Sequence, residues 1–396
     1  MPNAQAISAA PPDVGSYPRL EQAGLLAVFG VAAALQFSIA IAQTLLAVAL
    51  VCWIALVLLR RERIEFPRFY WPLLIYAGLT LVSAAFSPEP SQSFLDSKQL
   101  VLFLIVPLTY RFIRGQRGIT MITVIVSAGA ISAAAGIFQY GILHYDIHNR
   151  ARGTLGHYMT FSGIVMLVLG VALARILFAK RDRLWAAMVI PALAVAVVVT
   201  FTRSATVGAC LAAALLLSLK DFRLMAVLPI ALAIFLGLAG PDLVSRFASI
   251  FDVNNPTNRD RLAMIKEGER MVRAHPLVGV GPNMVEVLYS KYRDPDAIER
   301  VNPHLHNVPV QIAAERGLPA LVVWLWFVVI VMTDLFTSFR TSPHPALPAA
   351  ALAAMTSMLA AGLFEYNFGD SEFLMLLLLL ITLPFAAARP PLDVHP

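Results

Sequence analysis

The chain has 396 residues, of which 59% are hydrophobic and 14% charged, with a formal net charge of +6 and a mean hydropathy of +0.74. These values exclude an ordinary soluble domain and place the chain among polytopic membrane proteins. The positive excess sits in short loops between apolar runs, so it reports topology and argues against nucleic acid as a partner.

In chain order, Met1–Tyr17 is rich in Pro and Ala and is expected to be disordered. Apolar runs then follow at 22–40, 41–59, 71–87, 99–113, 119–143, 158–179, 184–202, 204–219, 223–240, 318–337, 345–364 and 371–388. A bilayer core takes about 20 apolar residues per helix, so the pattern predicts about 12 spans by the hydropathy criterion. The run at 99–113 is short, and the pair at 184–219 is barely separated. No β-barrel alternation appears, which leaves helices as the way to satisfy backbone polar groups in lipid. The expected fold is all-α and polytopic, a single integral-membrane domain over 1–396. It divides into a tail (1–21), a bundle (22–240), a large polar loop (241–317), further spans (318–388) and a short tail (389–396). The first apolar stretch, with Gln36 and Gln43 inside it, reads as a helical hairpin and not as a cleavable signal. Cys52 and Cys210 fall in spans and have neither metal nor disulfide spacing.

Basic clusters at Arg60, Arg61, Arg63 and Arg68, at Arg111, Arg114 and Arg117, at Lys180, Arg181 and Arg183, and at Lys220 and Arg223 alternate with cation-poor loops. The positive-inside rule puts these clusters and both termini in the cytoplasm. The large loop then falls outside, together with Pro88–Lys98, Tyr145–His157, Thr202–Ser204 and Glu365–Asp370. That loop holds ten Lys/Arg and ten Asp/Glu, so it is no general anion trap. Thr257-Asn258 can cap a helix running to about Ala274, where His275-Pro276 stops it. On that helix Leu262, Ile265 and Val272 form an apolar stripe; Arg259, Lys266, Arg270 and Arg273 fall on another face. Asn307 can start a second helix that leads through Glu315-Arg316-Gly317 into the next span.

Several residues could carry chemistry. Arg203 lies in Thr202-Arg203-Ser204, where two apolar runs meet with almost no loop, and a charge so placed is kept for a partner or ligand, or snorkels to lipid phosphate. Arg150 and Arg152 precede Gly153 and Gly156, which would let a backbone approach a ligand closely. Arg261 shares a helix stripe with apolar residues and is expected to point inward. His306, two residues after His304, is a natural proton acceptor near neutral pH. Metal is not expected: Asp294-Pro295-Asp296 has no further carboxylate cluster, and His304 with His306 lacks a third ligand at a familiar spacing. No nucleotide-binding motif is present, and no cofactor is expected. Outward arginines with one base and no metal suit a lipid diphosphate, whose leaving charge the guanidinium forks would stabilise while the base takes a proton from an acceptor hydroxyl.

The ordered set of motifs resembles the O-antigen ligase family, within the wider group that includes O-antigen polymerases and bacterial O-oligosaccharyltransferases. The elements are Arg152-Gly153-Thr154-Leu155-Gly156-His157, Thr202-Arg203-Ser204, Asn258-Arg259-Asp260-Arg261-Leu262, His275-Pro276-Leu277-Val278-Gly279-Val280-Gly281-Pro282, and His306-Asn307 leading to Glu315-Arg316-Gly317-Leu318. With the span pattern, the likeness covers nearly the whole chain. It implies a GT-C-like enzyme of the bacterial inner membrane, working on the periplasmic side without metal or nucleotide. Such an enzyme moves a polysaccharide from undecaprenyl diphosphate to a lipid A–core sugar, inverting the anomeric centre, among membrane lipids. Carried over, His306 would be the base and Arg203 and Arg261 the diphosphate ligands, with Arg152, Lys98 and His157 as further contacts. Arg259, His304, Asn307 and Glu315 would support them, and the choice between Arg259 and Arg261 favours Arg261. Pro319-Ala320 departs from the family's usual second Gly after the Glu-x-Gly-Leu turn. The alternatives are an O-antigen polymerase, a protein O-oligosaccharyltransferase, or, from another class, a transporter of lipid-linked glycans.

Overall fold

The computed structural model describes residues 17–238, 244–245, 248–249, 252 and 254–390, and every regular element among them is a helix. Most of the expected N-terminal tail, the start of the large loop and the last six residues lie outside the described residues. The elements are α1 (Pro18–Ala34), α2 (Ile39–Arg60), α3 (Tyr70–Ala85), α4 (Pro90–Asp96), a 3-10 segment (Ser97–Leu104) running into α5 (Ile105–Phe112), α6 (Arg117–Gly141), α7 (Tyr158–Phe178), α8 (Arg183–Val199) and α9 (Arg203–Lys220). After a second 3-10 segment (Phe222–Ala226) come α10 (Val227–Leu238), α11 (Pro256–Ala274), α12 (Met284–Tyr292), α13 (Val308–Thr341), α14 (Ala346–Ala361) and α15 (Ser371–Ala387).

Among the described residues, each expected apolar run coincides with helical structure, and the chain is a helical membrane protein. Among the described residues five helices, α2, α6, α7, α9 and α13, are long and apolar enough to cross a bilayer. Four more, α3, α8, α14 and α15, are apolar but only 16 or 17 residues long. At 1.5 Å per residue these reach about 25 Å against a core of about 30 Å, so helix length alone does not fix twelve crossings. The run at 99–113 is split between the 3-10 segment and the eight-residue α5.

The bundle is built around α7, α14 and α15. From Phe373 to Pro384 α15 is buried throughout, and α14 buries most of its alanines. Small residues let such helices approach closely, which stands in for the hydrophobic drive that lipid does not supply. Gly170 of α7 illustrates this, because a Cβ there would already press on Ala353 at 3.3 Å. Outer helices show apolar side chains instead: Val51 and Leu58 on α2 are 66% and 73% exposed, as a lipid-facing surface requires.

The two ends of α15 mark the two ends of the molecule. Beyond its C-terminus Arg389 bonds to the Tyr110 carbonyl and to Glu65. Beside them Arg111 bridges Glu21 and Glu62 at 2.7 Å each, and Arg60 joins Glu21. At the opposite end the turn 362–370 meets the N-termini of α7, α9 and α13. The basic clusters around Arg60 and Arg111 thus share one end with Arg389, and the turn expected outside at Glu365–Asp370 lies at the other.

The large loop has a small core of its own. Met264 and Met271 of α11 pack with Val280, Met284, Val285, Leu305 and Ala314. This corrects the expected apolar stripe: Leu262 and Ile265 are 56% and 39% exposed, and the buried face carries Ala263, Met264, Gly268 and Met271, with Asp260 and Glu267 among them. The helix stops at His275 as expected, but it starts at Pro256 under an Asn255 cap, whose Oδ1 accepts from the Thr257 N–H. The cations on α11 are largely paired within the loop. Arg270 reaches Asp294 at 2.5 Å, Lys266 reaches Asp296 at 3.2 Å, and Arg273 pairs with Glu269.

Candidate active site

The motif His275–Pro282 fastens the loop onto the start of α13. Val280 and Gly281 donate their N–H groups to the carbonyls of Ala314 and Glu315, and Leu318 donates to Pro276. Gly279 (φ +70°) and Gly317 (φ +82°) lie in the left-handed region, where an L side chain is costly. A Cβ on Gly279 would stand 2.3 Å from the Glu315 carbonyl, and one on Gly317 2.3 Å from the Leu277 carbonyl oxygen. Glu315 is committed to this joint: its carboxylate accepts from the Asn283 N–H at 2.9 Å and pairs with Arg316, and its carbonyl accepts from Ser83 Oγ. The geometry gives the expected supporting residue a fastening task, although it also borders the cavity described below. Pro319 sits just past the Gly317 kink, where a second helical stretch begins.

The same joint presents His306. Asn307 caps α13 by accepting from the Val310 N–H and donates Nδ2 to the Leu363 carbonyl, while Val308 N–H donates to Gly362. These bonds bring the turn after α14 against the turn before α13. His306 itself has φ +47°, an uncommon conformation for a residue with a Cβ and a frequent one at functional sites. Its Nδ1 lies 3.0 Å from Glu365 Oε1 and 3.1 Å from Oε2, with both side chains largely buried. Burial alone would raise the Glu365 pKa, but the hydrogen bond from His306 and the charges of His306, His304 and Arg261 hold it below the ordinary value. An ionised carboxylate only accepts, so His306 Nδ1 carries the proton of this bond, and in the neutral ring Nε2 is left as the acceptor.

His304 lies beside this dyad, its ring tilted and 4.8 Å from the His306 ring, with Nε2 3.8 Å from Glu365 Oε1. Burial first, then the neighbouring His306, push its pKa down to about 4. Here the structure corrects a sequence expectation. Glu365 supplies the third group that His304 and His306 lacked, so the three together form a metal-capable set, with ligand atoms within 4.8 Å of one another. Asp294, by contrast, is occupied by Arg270 and by the Asp296 N–H.

The cations divide. Arg261 is partly buried, within electrostatic reach of Glu365, Tyr158 and Arg150; its pKa is lowered, by burial first, while Glu365 opposes the shift. Arg259, two residues away, is exposed. Arg203 opens α9, buried to 6% exposure, and donates Nη1 to the carbonyl and hydroxyl of Ser249. The same Ser249 carbonyl accepts from Asn258 Nδ2, which ties Arg203 to the first turn of α11, one turn before Arg261. Arg150, passed over in favour of Arg152, lies over the Tyr158 ring at 4.6 Å and within electrostatic reach of Arg261. Arg152 is exposed, and its fixed contribution is a backbone N–H given to Gln139 Oε1.

A cavity of about 300 Å³ is lined among others by His157, Thr202, Ser204, His304, Glu365 and Asp370, so it meets Glu365 and His304 and the two residues that flank Arg203. His157 caps α7 through Nδ1 and packs on Tyr158. Lys98 is exposed and lines a neighbouring cavity with Leu46, Leu50 and Leu102; Asp96, Gln99 and Gly369 border both spaces. Most of the expected site residues therefore gather at one end of the bundle, with Lys98 at the adjoining cavity and Arg152 and Arg259 on the outside. Glu365 was missed. The signal for it was a carboxylate in a short outer turn, on the same side as the histidines.

The arrangement offers a base oriented by a carboxylate, two buried or half-buried guanidinium groups and a partly open cavity bordered by the N-termini of α7, α9 and α15. No curated protein matches the sequence. Residues 187–325, a stretch that takes in Arg203, Arg261 and His306 and ends before Glu365, match the family model described as O-Antigen ligase, and that match supports placing the chain in the O-antigen ligase/polymerase superfamily of glycosyltransferase-like membrane enzymes.

Proposed function

We propose that the protein is a periplasm-facing, inverting glycosyltransferase of the inner membrane, with both termini cytoplasmic. It transfers O-antigen polysaccharide from undecaprenyl diphosphate to a hydroxyl of the lipid A–core. The acceptor oxygen attacks the anomeric carbon while the bond from that carbon to the diphosphate oxygen breaks. His306 Nε2 takes the hydroxyl proton, and the negative charge arriving on the diphosphate is met by Arg203 and Arg261. Glu365 holds the His306 ring and its tautomer, the task a carboxylate performs behind a catalytic histidine elsewhere. Arg150 is the better candidate than Arg152 for a further cation near the diphosphate, and His157 and Lys98 border the spaces where the donor would lie.

The observation that carries this reading is the His306–Glu365 pair, in which Glu365 lines the cavity and lies within electrostatic reach of Arg261. Ligase and polymerase share the donor and differ in acceptor. Deleting the gene separates them: loss of all capping with lipid-linked polymer accumulating fits a ligase, and single-unit capping fits a polymerase. Loss of protein glycosylation with intact lipopolysaccharide would point instead to a protein oligosaccharyltransferase. The sidedness of the cations counts against a transporter, which should place charged or broken helices near the midplane.

A further inference from the structure

We infer that His304, His306 and Glu365 form an inhibitory binding site for a late first-row divalent cation, with Zn²⁺ the best match. The inference about binding stands on the cluster's geometry; the inhibition rests on the function proposed above. Zinc takes imidazole nitrogen and carboxylate oxygen at about 2.0–2.2 Å in tetrahedral sites, which sets neighbouring ligand atoms about 3.3–3.5 Å apart. The pair His306 Nδ1–Glu365 Oε1 stands at 3.0 Å and the pair His304 Nε2–Glu365 Oε1 at 3.8 Å, and all three ligand atoms lie within 4.8 Å of one another. Small side-chain rotations close the set, and a water would complete the fourth position. Two imidazoles with one carboxylate suit Zn²⁺ and Cu²⁺ and leave Mg²⁺ and Ca²⁺, which prefer oxygen ligands in larger number, poorly served. The cluster is reachable, since the side chains of His304, His306 and Glu365 keep 33%, 17% and 13% of their exposure.

Occupancy has a chemical consequence for the base. In the metal-free dyad the Nδ1–H of His306 points at Glu365 and Nε2 is the acceptor. A cation bound at Nδ1 takes that lone pair, so a neutral ring must carry its proton on Nε2. The nitrogen assigned to deprotonate the acceptor hydroxyl is then blocked, and Glu365 is drawn away from its orienting task. No bond to substrate forms or breaks in this step; as the cation binds, His306 loses its Nδ1 proton to solvent and takes one from solvent at Nε2, so the neutral ring changes tautomer with no net change in proton count.

The test uses the full chain, purified in detergent with any histidine tag removed. Isothermal titration with Zn²⁺, and separately with Mg²⁺, reads binding without reference to activity. The wild type should bind one Zn²⁺ per chain and no Mg²⁺, and His304→Ala, His306→Ala and Glu365→Gln should each bind at least tenfold more weakly. His148→Ala, in an exposed loop, serves as the control that keeps wild-type binding, and circular dichroism melts confirm that each variant is folded. Zn²⁺ at saturating concentration should then abolish transfer, with EDTA restoring it. Absence of a Zn²⁺ site in the wild type, or equal affinity in all four variants, overturns the site. Binding that leaves the transfer rate unchanged, or raises it, overturns the inhibition. A wild-type protein that binds Zn²⁺ as stated but transfers nothing in EDTA leaves the site standing and counts against the proposed function.

Discussion

His306 Nδ1 stands 3.0 Å from Glu365 Oε1, although the two residues are 59 positions apart and lie in turns on either side of α13 and α14. The contact is held by two bonds between these turns, from the Val308 N–H to the Gly362 carbonyl and from Asn307 Nδ2 to the Leu363 carbonyl. The pairing is therefore a property of the joint between two turns, and two flexible side chains meeting by chance would not explain it.

Glu365→Gln tests that pairing directly. A Gln can donate to Nδ1 as well as accept from it, so the ring loses its fixed tautomer. Transfer should fall by between about 10- and 10⁴-fold, the range seen when an orienting carboxylate is removed. The apparent KM for the donor should stay within about twofold, and Glu365→Asp should recover part of the rate. A Gln variant with the wild-type rate removes Glu365 from the account.

Arg261 and Arg259 make a matched comparison on one helix. Arg261→Ala should cost about 10²–10³-fold in transfer, as for loss of one group that stabilises transition-state charge. Arg259→Ala should stay within about threefold, because that side chain is exposed. Gel ladders of capped lipopolysaccharide from complemented cells check both. The reverse order of effects would mean that the inward face of α11 has been misassigned.

The joint between the loop and α13 predicts a stability defect. Gly279→Ala adds a Cβ against the Glu315 carbonyl at 2.3 Å in a backbone conformation that disfavours it. The cost should be about 1–3 kcal/mol or more, seen as a lower melting temperature in detergent and as proteolysis of the loop. An unchanged melting temperature would mean that the Val280–Ala314 and Gly281–Glu315 bonds yield easily.

Glu267 gives a pH signature outside the site. It is fully buried on α11, and among the described residues neither carboxylate oxygen has a hydrogen-bond partner. Burial, with Asp260 adding to it, pushes its pKa up to about 8. A raised acid contributes stability that is fully present below the unfolded value of about 4.3 and lost as pH rises through the folded value, at about 1.4 kcal/mol per pH unit. Glu267→Gln should therefore melt higher than the wild type at pH 7.5 and with it near pH 4. Parallel melting curves at both pH values would contradict the assignment.

Much of this architecture was legible in the sequence, because apolar runs and basic loops report membrane helices through composition alone. The stop at His275-Pro276 and the start at Asn307 were legible too, since proline and an asparagine cap act within a few residues. Leu262 and Ile265 misled for a physical reason. The loop core is closed by methionines and small residues of α11, which leaves its larger aliphatic side chains, Leu262 and Ile265, on the outer face. Glu365 was hidden because its partner is made by the fold: a carboxylate between two apolar runs carries no local signal of the histidine it meets. Arg150 lost to Arg152 for a similar reason, since only the turn beyond Gln139 decides which of the two faces Tyr158.

The central claim is that His306 is the base and that arginines, without a metal, stabilise the leaving diphosphate. The most direct measurement is single-turnover transfer with purified protein, lipid-linked glycan and core acceptor in EDTA, comparing wild type with His306→Ala. The account predicts full transfer by the wild type in EDTA and a loss of about 10²–10⁴-fold in the variant, with donor binding retained. Strict dependence of the wild type on an added divalent metal, or a His306→Ala rate equal to that of the wild type, would contradict it.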